Sequence, residues 1–423
     1  MSPAGRKNDY PNILIIVVDC LRADRCPLDP EGPYNKNLRF WPRFRESATC
    51  FSQMISTASV TPVCFASILT GQYSFAHGLR TIKGPALNPN VPTLATILKN
   101  HGYHTHAYLT GPLEPLFGLN RGFDEYQCRE RKQRINTEWA VKFFQELPVL
   151  LRQGPGFVLL HLFELHYPRT VMKRKARRRS VKRYDYAWWE LDEQLEKIMA
   201  LVPENTITIL TADHGERLYR PSDKNIISYL QRKFRKKFKL SLRTCDGRDH
   251  GFHIFEDLVR IPLALQGPGI PEDRVIDQQV CQIDIMPTIV DLLGYELSLA
   301  THGRSLAPLI RGQELAEIPV FLETGNIDLW RNWRGLRNSR WKYAEQINEQ
   351  TQKILNCQLY DLIRDPAEHH NVADQNRDLI AGMKNDIQAI LQHNPMGIDA
   401  TGRQFTEEEQ EQLNEKLRAL GYL

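Results

Sequence analysis

The sequence predicts an α/β protein with a buried parallel sheet that is covered by helices. Three apolar, β-branched runs support this prediction, and they occupy residues 13–18, 157–163 and 206–212. Continuous apolar runs of this length are typical of strands that are buried on both faces. Helix-like stretches lie between the runs, so that strand and helix patterns alternate along the chain.

The composition excludes several classes of protein. The chain has 423 residues, of which 42% are hydrophobic and 25% charged, and its formal net charge is +5. A chain of this length and apolar content can bury a large core, which argues against disorder and against a disulfide-stapled miniature fold. Its eight cysteines include no CxxC pair. We therefore expect reduced thiols, and neither a zinc ribbon nor a thioredoxin-like site.

The first candidate strand, residues 13–18, is the apolar run nearest the N-terminus. It is far shorter than the roughly 20 residues that a membrane helix needs. No signal-peptide cleavage pattern accompanies it. We therefore expect no transmembrane segment and a cytoplasmic location.

Two helix-like stretches separate the three candidate strands. Residues 91–102 read VPTLATILKNHG and close with a glycine, a common helix terminator. Residues 183–202 read RYDYAWWELDEQLEKIMALV, and they lead into the third strand. Both stretches supply helices of the kind that cover a parallel sheet.

The pattern changes in the last quarter of the chain. Short strand-like runs separated by polar turns predict a small antiparallel sheet, and helix-like stretches follow near residues 376–393 and 406–420. We therefore divide the chain into a larger domain, residues 1–315, and a C-terminal α+β subdomain, residues 316–423.

Polar residues with metal-binding or acid–base chemistry follow the three candidate strands. In chain order these residues are Asp19, then Glu164 and His166, then Asp213 and His214. Ligands gather at the carboxyl ends of the strands in an open parallel sheet. Each residue taken alone could simply mark where a buried strand enters a loop. Three such strand ends together favour a metal or catalytic site.

The segment TPVCFASILTG, which begins at Thr61, suits a nucleophile. Its small residues predict a tight strand-to-helix turn that exposes the Thr61 hydroxyl at a helix N-terminus, where backbone amides favour an anionic ester. Metal coordination would lower the pKa of this hydroxyl and create an alkoxide. Carboxylates suit hard divalent cations, whereas an imidazole in the set favours manganese or zinc.

A series of motifs occurs in a specific order along the chain: ILIIVVDCLRAD, TPVCFASILTGQYSFAHGLR, RGFDEY, FELHYP, ILTADHGE, HGFHIFEDLVRIPLALQGPGI, QIDIMPTIVDLLG and HGRSLAPLIRG. In this order the chain resembles the sulfatase branch of the alkaline phosphatase superfamily over nearly its whole length. The resemblance implies a three-layer sandwich with a central, mostly parallel sheet, and a small C-terminal antiparallel sheet beside the site. It also implies a metal-dependent hydrolase of phosphate or sulfate esters.

The resemblance gives roles to six residues. The metal ligands would be Asp19, Thr61, Asp213 and His214. Thr61 would also be the nucleophile. His166 would contact the transferred group or protonate the leaving oxygen, and His250 would do the same from the other side or bind a second metal.

The first departure from the sulfatase pattern is at the nucleophile. Sulfatases of the main type oxidise a Cys or Ser in the pattern C/S-x-P-x-R to formylglycine. This chain has Thr61 at the oxidised position, Val63 at the proline and Phe65 at the arginine. Threonine is not a substrate for that oxidation, and the nearby Cys64 does not restore the motif. We therefore expect an unmodified Thr61 nucleophile, as in phosphoesterases and phosphoryl-group transferases of the superfamily.

The second departure is Cys20, which stands where a second aspartate ligand is usual and which we expect to be a packed thiol. One carboxylate fewer and the presence of His214 favour manganese or zinc over calcium or magnesium. His161 and His253 are expected to be core or rim residues.

Two other functions remain as alternatives to the hydrolase: a phosphoryl-group transferase to an acceptor alcohol, and an inactive relative that binds polyanions.

The positive charge is concentrated in two segments. Residues 169–183 contain nine basic and no acidic residues, and residues 223–243 contain eight basic and one acidic residue. The rest of the chain is therefore net acidic. Both segments adjoin site motifs in the sequence, so we expect a basic rim that attracts a polyanion or an anionic membrane surface. The alternative is two solvated segments with no binding role.

Overall fold

The computed structural model describes residues 10–32, 34–130, 132–166, 180–218, 250–297, 299–325, 332–393, 395, 397 and 401–420. The strands are β1 (Asn12–Val18), β2 (Thr49–Ile55), β3 (His104–Thr110), β4 (Glu125–Arg129), β5 (Gly156–Leu162), β6 (Thr206–Ala212), β7 (Arg260–Gln266), β8 (Arg274–Cys281), β9 (Val320–Glu323), β10 (Asn332–Arg337), β11 (Trp341–Ile347) and β12 (Ile354–Asp361). The helices are α1 (Phe40–Glu46), α2 (Thr61–Thr70), α3 (Ser74–His77), α4 (Leu94–Asn100), α5 (Glu138–Leu150), α6 (Ser180–Met199), α7 (Glu256–Val259), α8 (Ile285–Leu292), α9 (Ala307–Ile310), α10 (Arg377–Gln392) and α11 (Glu407–Leu420).

The central sheet has eight strands in the order β4, β3, β5, β1, β6, β7, β2 and β8. β1 lies in its middle and pairs in parallel with both β5 and β6. β7 runs antiparallel to its neighbours β6 and β2. Every residue of β1, β5 and β6 is buried, which explains the three continuous apolar runs of the sequence. The predicted α/β fold with a mostly parallel central sheet is confirmed.

The two helix-like stretches of the first half of the chain form helices. Residues 91–102 contain α4, whose N-cap Thr93 accepts a hydrogen bond through its side chain from the backbone N–H of Thr96. Residues 183–202 contain most of α6. Each helix lies between strands along the chain, as the alternating pattern predicts.

The second sheet is antiparallel, with the order β12, β11, β10 and β9, and α10 and α11 follow it in the chain. The predicted small C-terminal sheet with helices is therefore confirmed. Its core combines side chains from both sides of residue 315, among them Ile55, Tyr73, Phe321 and Trp333. The small sheet is thus packed directly against the part of the chain that carries the large one.

Within the described ranges, no helix has the length and apolar character needed to cross a bilayer. The cysteines of these ranges are free thiols, in agreement with the expected reduced state. Residues 169–179 and the whole of the second basic segment, residues 223–243, lie outside the described residues.

Candidate active site and metal centre

The candidate site lies on one face of the central sheet, at the carboxyl edge of its middle strands. Val17 of β1 pairs with His161 of β5 on one side and with Thr211 of β6 on the other. Side chains alternate between the two faces along a strand, so residues two apart share a face. Asp19 follows Val17 by two residues and Asp213 follows Thr211 by two. The strand register therefore brings Asp19, Asp213 and His161 together.

Five buried side chains place donor atoms close to one another. Asp19 Oδ2 lies 3.3 Å from Thr61 Oγ1 and 3.5 Å from His161 Nε2. His214 Nε2 lies 3.3 Å from Thr61 Oγ1 and 3.4 Å from Asp213 Oδ2. The Thr61 hydroxyl thus lies between a carboxylate and an imidazole.

Thr61 is the first residue of α2, as the sequence predicts. Val60 before it has extended backbone (φ −139°, ψ 125°), and Pro62 follows it in the first turn. Proline suits this position because the first turn of a helix leaves its backbone N–H groups without intrahelical partners. The Thr61 hydroxyl is therefore presented at the positive end of the helix, where negative charge is stabilised.

The ring of His214 is oriented by the backbone. Its Nδ1 lies 2.8 Å from the carbonyl oxygen of Gly215, which can only accept, so Nδ1 donates and Nε2 is left for the site. Gly215 is required by a close approach, because a Cβ there would lie 2.2 Å from the carbonyl oxygen of Asp257. Metal-binding histidines commonly donate their second ring N–H to such a carbonyl.

The turn after β1 is held by hydrogen bonds to Asp213 and Tyr184. Cys20 has a φ of +62°, in the left-handed region that is uncommon for residues other than glycine. Its backbone N–H and that of His214 both donate to Asp213 Oδ1, at 3.2 and 2.8 Å. The Tyr184 hydroxyl donates to the Cys20 carbonyl and accepts from the backbone N–H of Arg22. Asp213 Oδ2 is thereby left for the site.

The two site carboxylates have opposite pKa shifts. Burial alone would raise the pKa of Asp19, but the imidazoles of His161, His166 and His214 outweigh it and hold that pKa well below its usual range. Burial raises the pKa of Asp213, and the neighbouring Asp19 carboxylate raises it further. Two close carboxylates of this kind disfavour each other's ionised form unless a cation lies between them.

The donor set fits a divalent cation. Asp19 Oδ1, Asp213 Oδ2 and His161 Nε2 are buried and have no hydrogen-bond partner among the described residues. Ligand atoms of Asp19, His161 and Asp213 lie within 4.8 Å of one another. Buried polar atoms are normally paired, and an ion coordinated by these side chains would satisfy them.

His166 and His250 lie side by side, next to His214. Their ring centroids are 5.0 Å apart, and the His250 ring stacks 4.5 Å from that of His214. His166 also stacks on Phe163 at 4.2 Å. Burial alone would lower the pKa of His250, but Glu216 and the site aspartates outweigh it and raise that pKa. The side of a bound ester that each ring would face stays a prediction.

Cys20 lies at the edge of the group, with Sγ 3.8 Å from His250 Nδ1. Burial raises the pKa of its thiol, and the nearby carboxylates of Asp19, Glu216 and Asp213 raise it further. The neutral thiol is thereby favoured over the thiolate that binds metals. This environment agrees with the expected packed thiol.

Sequence reasoning missed two residues of the site, His161 and Glu216. Glu216 is 2% exposed, and its Oε1 lies 3.8 Å from His250 Nδ1. Its position in the motif ADHGE is a signal that could have indicated it. His161 is buried in the middle of β5, where a lone histidine in an apolar run resembles a core residue. Only the pairing of β5 with β1 shows that it faces Asp19.

Two other polar residues near the motifs have structural roles. Glu164 Oε1 accepts a hydrogen bond from the backbone N–H of Ile135 and lies 3.6 Å from Arg129 Nη1. The His253 ring stacks on Phe255 with centroids 3.4 Å apart, and burial lowers its pKa. His253 is thus a packed residue, as expected.

Comparison with known proteins gives two family matches. The model of the Sulfatase family matches residues 11–295, and the model "N-sulphoglucosamine sulphohydrolase, C-terminal" matches residues 249–393. Together these matches cover both sheets of the structure.

Curated relatives match about half of the chain. Arylsulfatase K of Canis lupus familiaris is 26% identical over 214 residues, which are 49% of this chain and 34% of that protein. Endo-4-O-sulfatase of Bacteroides thetaiotaomicron is 24% identical over 228 residues, 50% of this chain and 40% of that protein. The chain thus spans between about a third and two fifths of the length of these relatives.

A solved structure with a similar fold is the phosphonate monoester hydrolase of Agrobacterium radiobacter. The two chains align with a TM-score of 0.67 and 16% identity, over 90% of this chain and 95% of the other. At this identity the similarity concerns the fold.

Proposed function

Because the chain belongs to the sulfatase family, we propose that it is a metal-dependent hydrolase that cleaves an anionic phosphate or sulfate ester with Thr61 as its nucleophile. The observation that carries this proposal is the position of Thr61 Oγ1. It lies at the N-terminus of α2, 3.3 Å from both Asp19 Oδ2 and His214 Nε2. A hydroxyl in this position can be activated and can approach an anionic ester that is bound at the helix N-terminus.

Four residues are proposed to hold the metal ion: Asp19, Thr61, Asp213 and His214. When bound, a divalent cation would lower the pKa of the Thr61 hydroxyl and neutralise charge on the ester oxygens. Carboxylates combined with an imidazole favour manganese or zinc, with calcium or magnesium as the weaker candidates.

In the proposed reaction Thr61 Oγ1 attacks phosphorus or sulfur in line with the leaving oxygen. The Thr61 hydroxyl donates to Asp19 Oδ2 at 3.3 Å, and with the metal bound its proton would pass to solvent. A bond forms from Thr61 Oγ1 to phosphorus or sulfur, and the bond to the leaving oxygen breaks. His166 or His250 donates a proton to that oxygen. Water, or an acceptor alcohol in the case of a transferase, then takes the group from Thr61.

The test is a screen of the purified protein with aryl phosphate mono- and diesters, an aryl phosphonate and an aryl sulfate. Each ester is offered with manganese, zinc, calcium or EDTA. We expect turnover of at least one ester that EDTA abolishes and added metal restores. Absence of turnover with every ester and metal would contradict the proposal and favour a polyanion-binding relative.

We further propose that the two basic segments form a rim for a polyanionic substrate. Residues 169–183 begin three positions after His166, and residues 223–243 lie between Glu216 and His250. The second segment is thus flanked in the sequence by site residues on both sides, and the first segment follows a site residue. If the rim binds substrate, activity on a charged polymer falls steeply with salt, while activity on a small aryl ester changes little. Equal salt dependence for the two substrates would count against the rim.

A further inference from the structure

A second buried imidazole, that of His161, lies in the same group of donor atoms as His214. His161 lies in β5 and is fully buried, and its Nδ1 is 2.8 Å from the carbonyl oxygen of Thr110. A carbonyl oxygen only accepts, so Nδ1 carries a proton and donates it. In the neutral ring Nε2 then carries the lone pair, and this atom lies 3.5 Å from Asp19 Oδ2.

At 3.5 Å these two facing atoms are farther apart than in a normal hydrogen bond, and in the neutral ring both are acceptors. His161 Nε2, Asp19 Oδ1 and Asp213 Oδ2 are all buried without a hydrogen-bond partner in the described part of the chain. Leaving such atoms unsatisfied in a protein interior is unfavourable. A cation shared by all three would satisfy them at once.

Neighbouring donor atoms are spaced as two ligands of one ion would be, and the ligand atoms of Asp19, His161 and Asp213 all lie within 4.8 Å of one another. The donor atoms of His161 and Asp19 are 3.5 Å apart, and those of Asp19 and Thr61 are 3.3 Å apart. The donor atoms of Thr61 and His214 are 3.3 Å apart, and those of His214 and Asp213 are 3.4 Å apart. Metal–ligand distances of about 2.1 Å place the ligand atoms about 3.4 Å apart in a tetrahedron and about 3.0 Å apart in an octahedron. His161 Nε2 therefore lies at the distance from Asp19 that a fellow ligand would have.

We propose that His161 is a ligand of the metal ion, together with Asp19 and Asp213. This inference deepens the proposed function, since it rests on a divalent cation being bound at that site. His161 matches His214 in its orientation, because each ring donates its Nδ1–H to a backbone carbonyl and leaves Nε2 for the site. A set with two imidazoles and two carboxylates suits zinc or manganese better than calcium.

The rival interpretation is a protonated His161 that forms an ion pair with Asp19. Hydrogen bonds from a cationic nitrogen to a carboxylate are normally about 2.7–2.9 Å long, whereas this distance is 3.5 Å. The two interpretations predict opposite effects on metal binding. If His161 is a ligand, its removal weakens metal binding. If His161 is a competing positive charge beside Asp19, its removal leaves metal binding unchanged or strengthens it.

The test compares zinc affinity in the wild type, His161→Gln and the control His77→Gln, by competition with a chelator. His77 is also fully buried, but its Nδ1 accepts from the backbone N–H of Leu79 and its Nε2 lies 3.3 Å from Ser67 Oγ. We expect zinc to bind His161→Gln at least on the order of 100-fold more weakly, with little change in His77→Gln. Unchanged or tighter binding by a folded His161→Gln protein would overturn the proposal.

A second measurement needs no variant of His161. The wild type and His250→Ala are loaded with cobalt(II), and the proton NMR spectrum is searched for exchangeable ring N–H signals that the metal shifts. We expect two such signals, one from Nδ1–H of His161 and one from Nδ1–H of His214. Both signals should remain in His250→Ala. A single remaining signal would overturn the assignment of His161.

Failure of this inference is distinguishable from failure of the proposed function, because zinc affinity and ester turnover are measured on the same preparations. A wild type that binds zinc through His161 but cleaves no ester would contradict the proposed function alone. An active wild type whose zinc affinity survives in His161→Gln would contradict the ligand assignment alone.

Discussion

At the scale of single residues, the start of α2 offers two reactive side chains, Thr61 and Cys64. Cys64 is fully buried, and its Sγ lies 3.4 Å from Ser56 Oγ and from the carbonyl oxygen of Ala58. Burial raises the pKa of its thiol well above the usual range, which makes it a poor nucleophile. Thr61, in contrast, has its hydroxyl among the candidate metal ligands. The geometry favours Thr61 as the residue that reacts.

We predict that Thr61 and Cys64 are both unmodified in the protein as expressed in a host with formylglycine-generating activity. The reason is that Thr61 is neither Cys nor Ser, and that Cys64 lacks the C-x-P-x-R pattern and is enclosed within the core. Mass spectrometry of the peptide that contains both residues checks this. A variant with Thr61→Cys, Val63→Pro and Phe65→Arg restores the C-x-P-x-R pattern and is the positive control. An oxidised residue in the wild-type peptide would contradict the prediction.

At the scale of elements, α1 is capped by a side chain from another helix. The backbone N–H groups of Arg39, Phe40 and Trp41 donate to the carboxylate of Asp192 in α6, at 2.6, 2.9 and 2.9 Å. Asp192 is fully buried. A carboxylate near a helix N-terminus satisfies N–H groups that have no intrahelical partner and interacts favourably with the helix dipole. Asp192 therefore fixes α1 to α6.

Asp192→Ala should lower the free energy of unfolding by about 2–4 kcal/mol, because it leaves three N–H groups, two of them buried, without their acceptor. Urea denaturation measures the change. Glu193→Ala, at the adjacent and less buried position, should stay within about 0.5 kcal/mol of the wild type. Equal effects of the two substitutions would show that the cap contributes little.

In the central sheet, the sequence predicts the three strands that are buried throughout and misses strands whose burial is mixed. β1, β5 and β6 stand out in the sequence because all of their residues are buried, and nearly all of these residues are apolar or β-branched. β8 contains exposed as well as buried residues, so it lacks a continuous apolar run. The reversed direction of β7 is set by pairing with distant strands, which no local pattern encodes.

The limit of local sequence patterns also explains which site residues the sequence indicates. It indicates Asp19 and Asp213 because a carboxylate at the end of an apolar run is unusual, and Thr61 because of its motif. His161 lies inside a run, and its role depends on the register between β5 and β1. Pairing between residues 144 positions apart in sequence, as in β1 and β5, cannot be derived from periodicity.

At the scale of the whole molecule, a buried arginine joins the two sheets. Arg337 of β10 donates to both carboxylate oxygens of Glu256, at 2.9 and 3.0 Å, and to Oε1 of Gln53 in β2 at 2.9 Å. Its side chain is 2% exposed. Burial alone would raise the pKa of Glu256, but Arg337 and Lys342 outweigh it and lower that pKa to about 2. The ionised pair therefore links the small sheet to the large one.

Arg337→Ala should destabilise the protein by about 3–5 kcal/mol, because it leaves the buried Glu256 carboxylate without a major partner. Arg340→Ala is the matched control, since Arg340 is 49% exposed and lies 3.2 Å from Asp361. We expect a much smaller loss from Arg340→Ala, because the Arg340 side chain is half exposed. Denaturant unfolding followed by near-UV circular dichroism distinguishes the two, and a mild effect of Arg337→Ala would argue against its linking role.

As the proposed nucleophile, Thr61 forms a covalent bond to the transferred group, and rapid quenching during turnover can capture it. The protein is mixed with the best ester from the screen, quenched in acid and digested, and the peptide that contains Thr61 is analysed by mass spectrometry. We predict a phosphoryl or sulfuryl group on Thr61 in the wild type, and neither adduct nor turnover in Thr61→Val. Undiminished turnover by Thr61→Val, or an adduct on another residue, would contradict it.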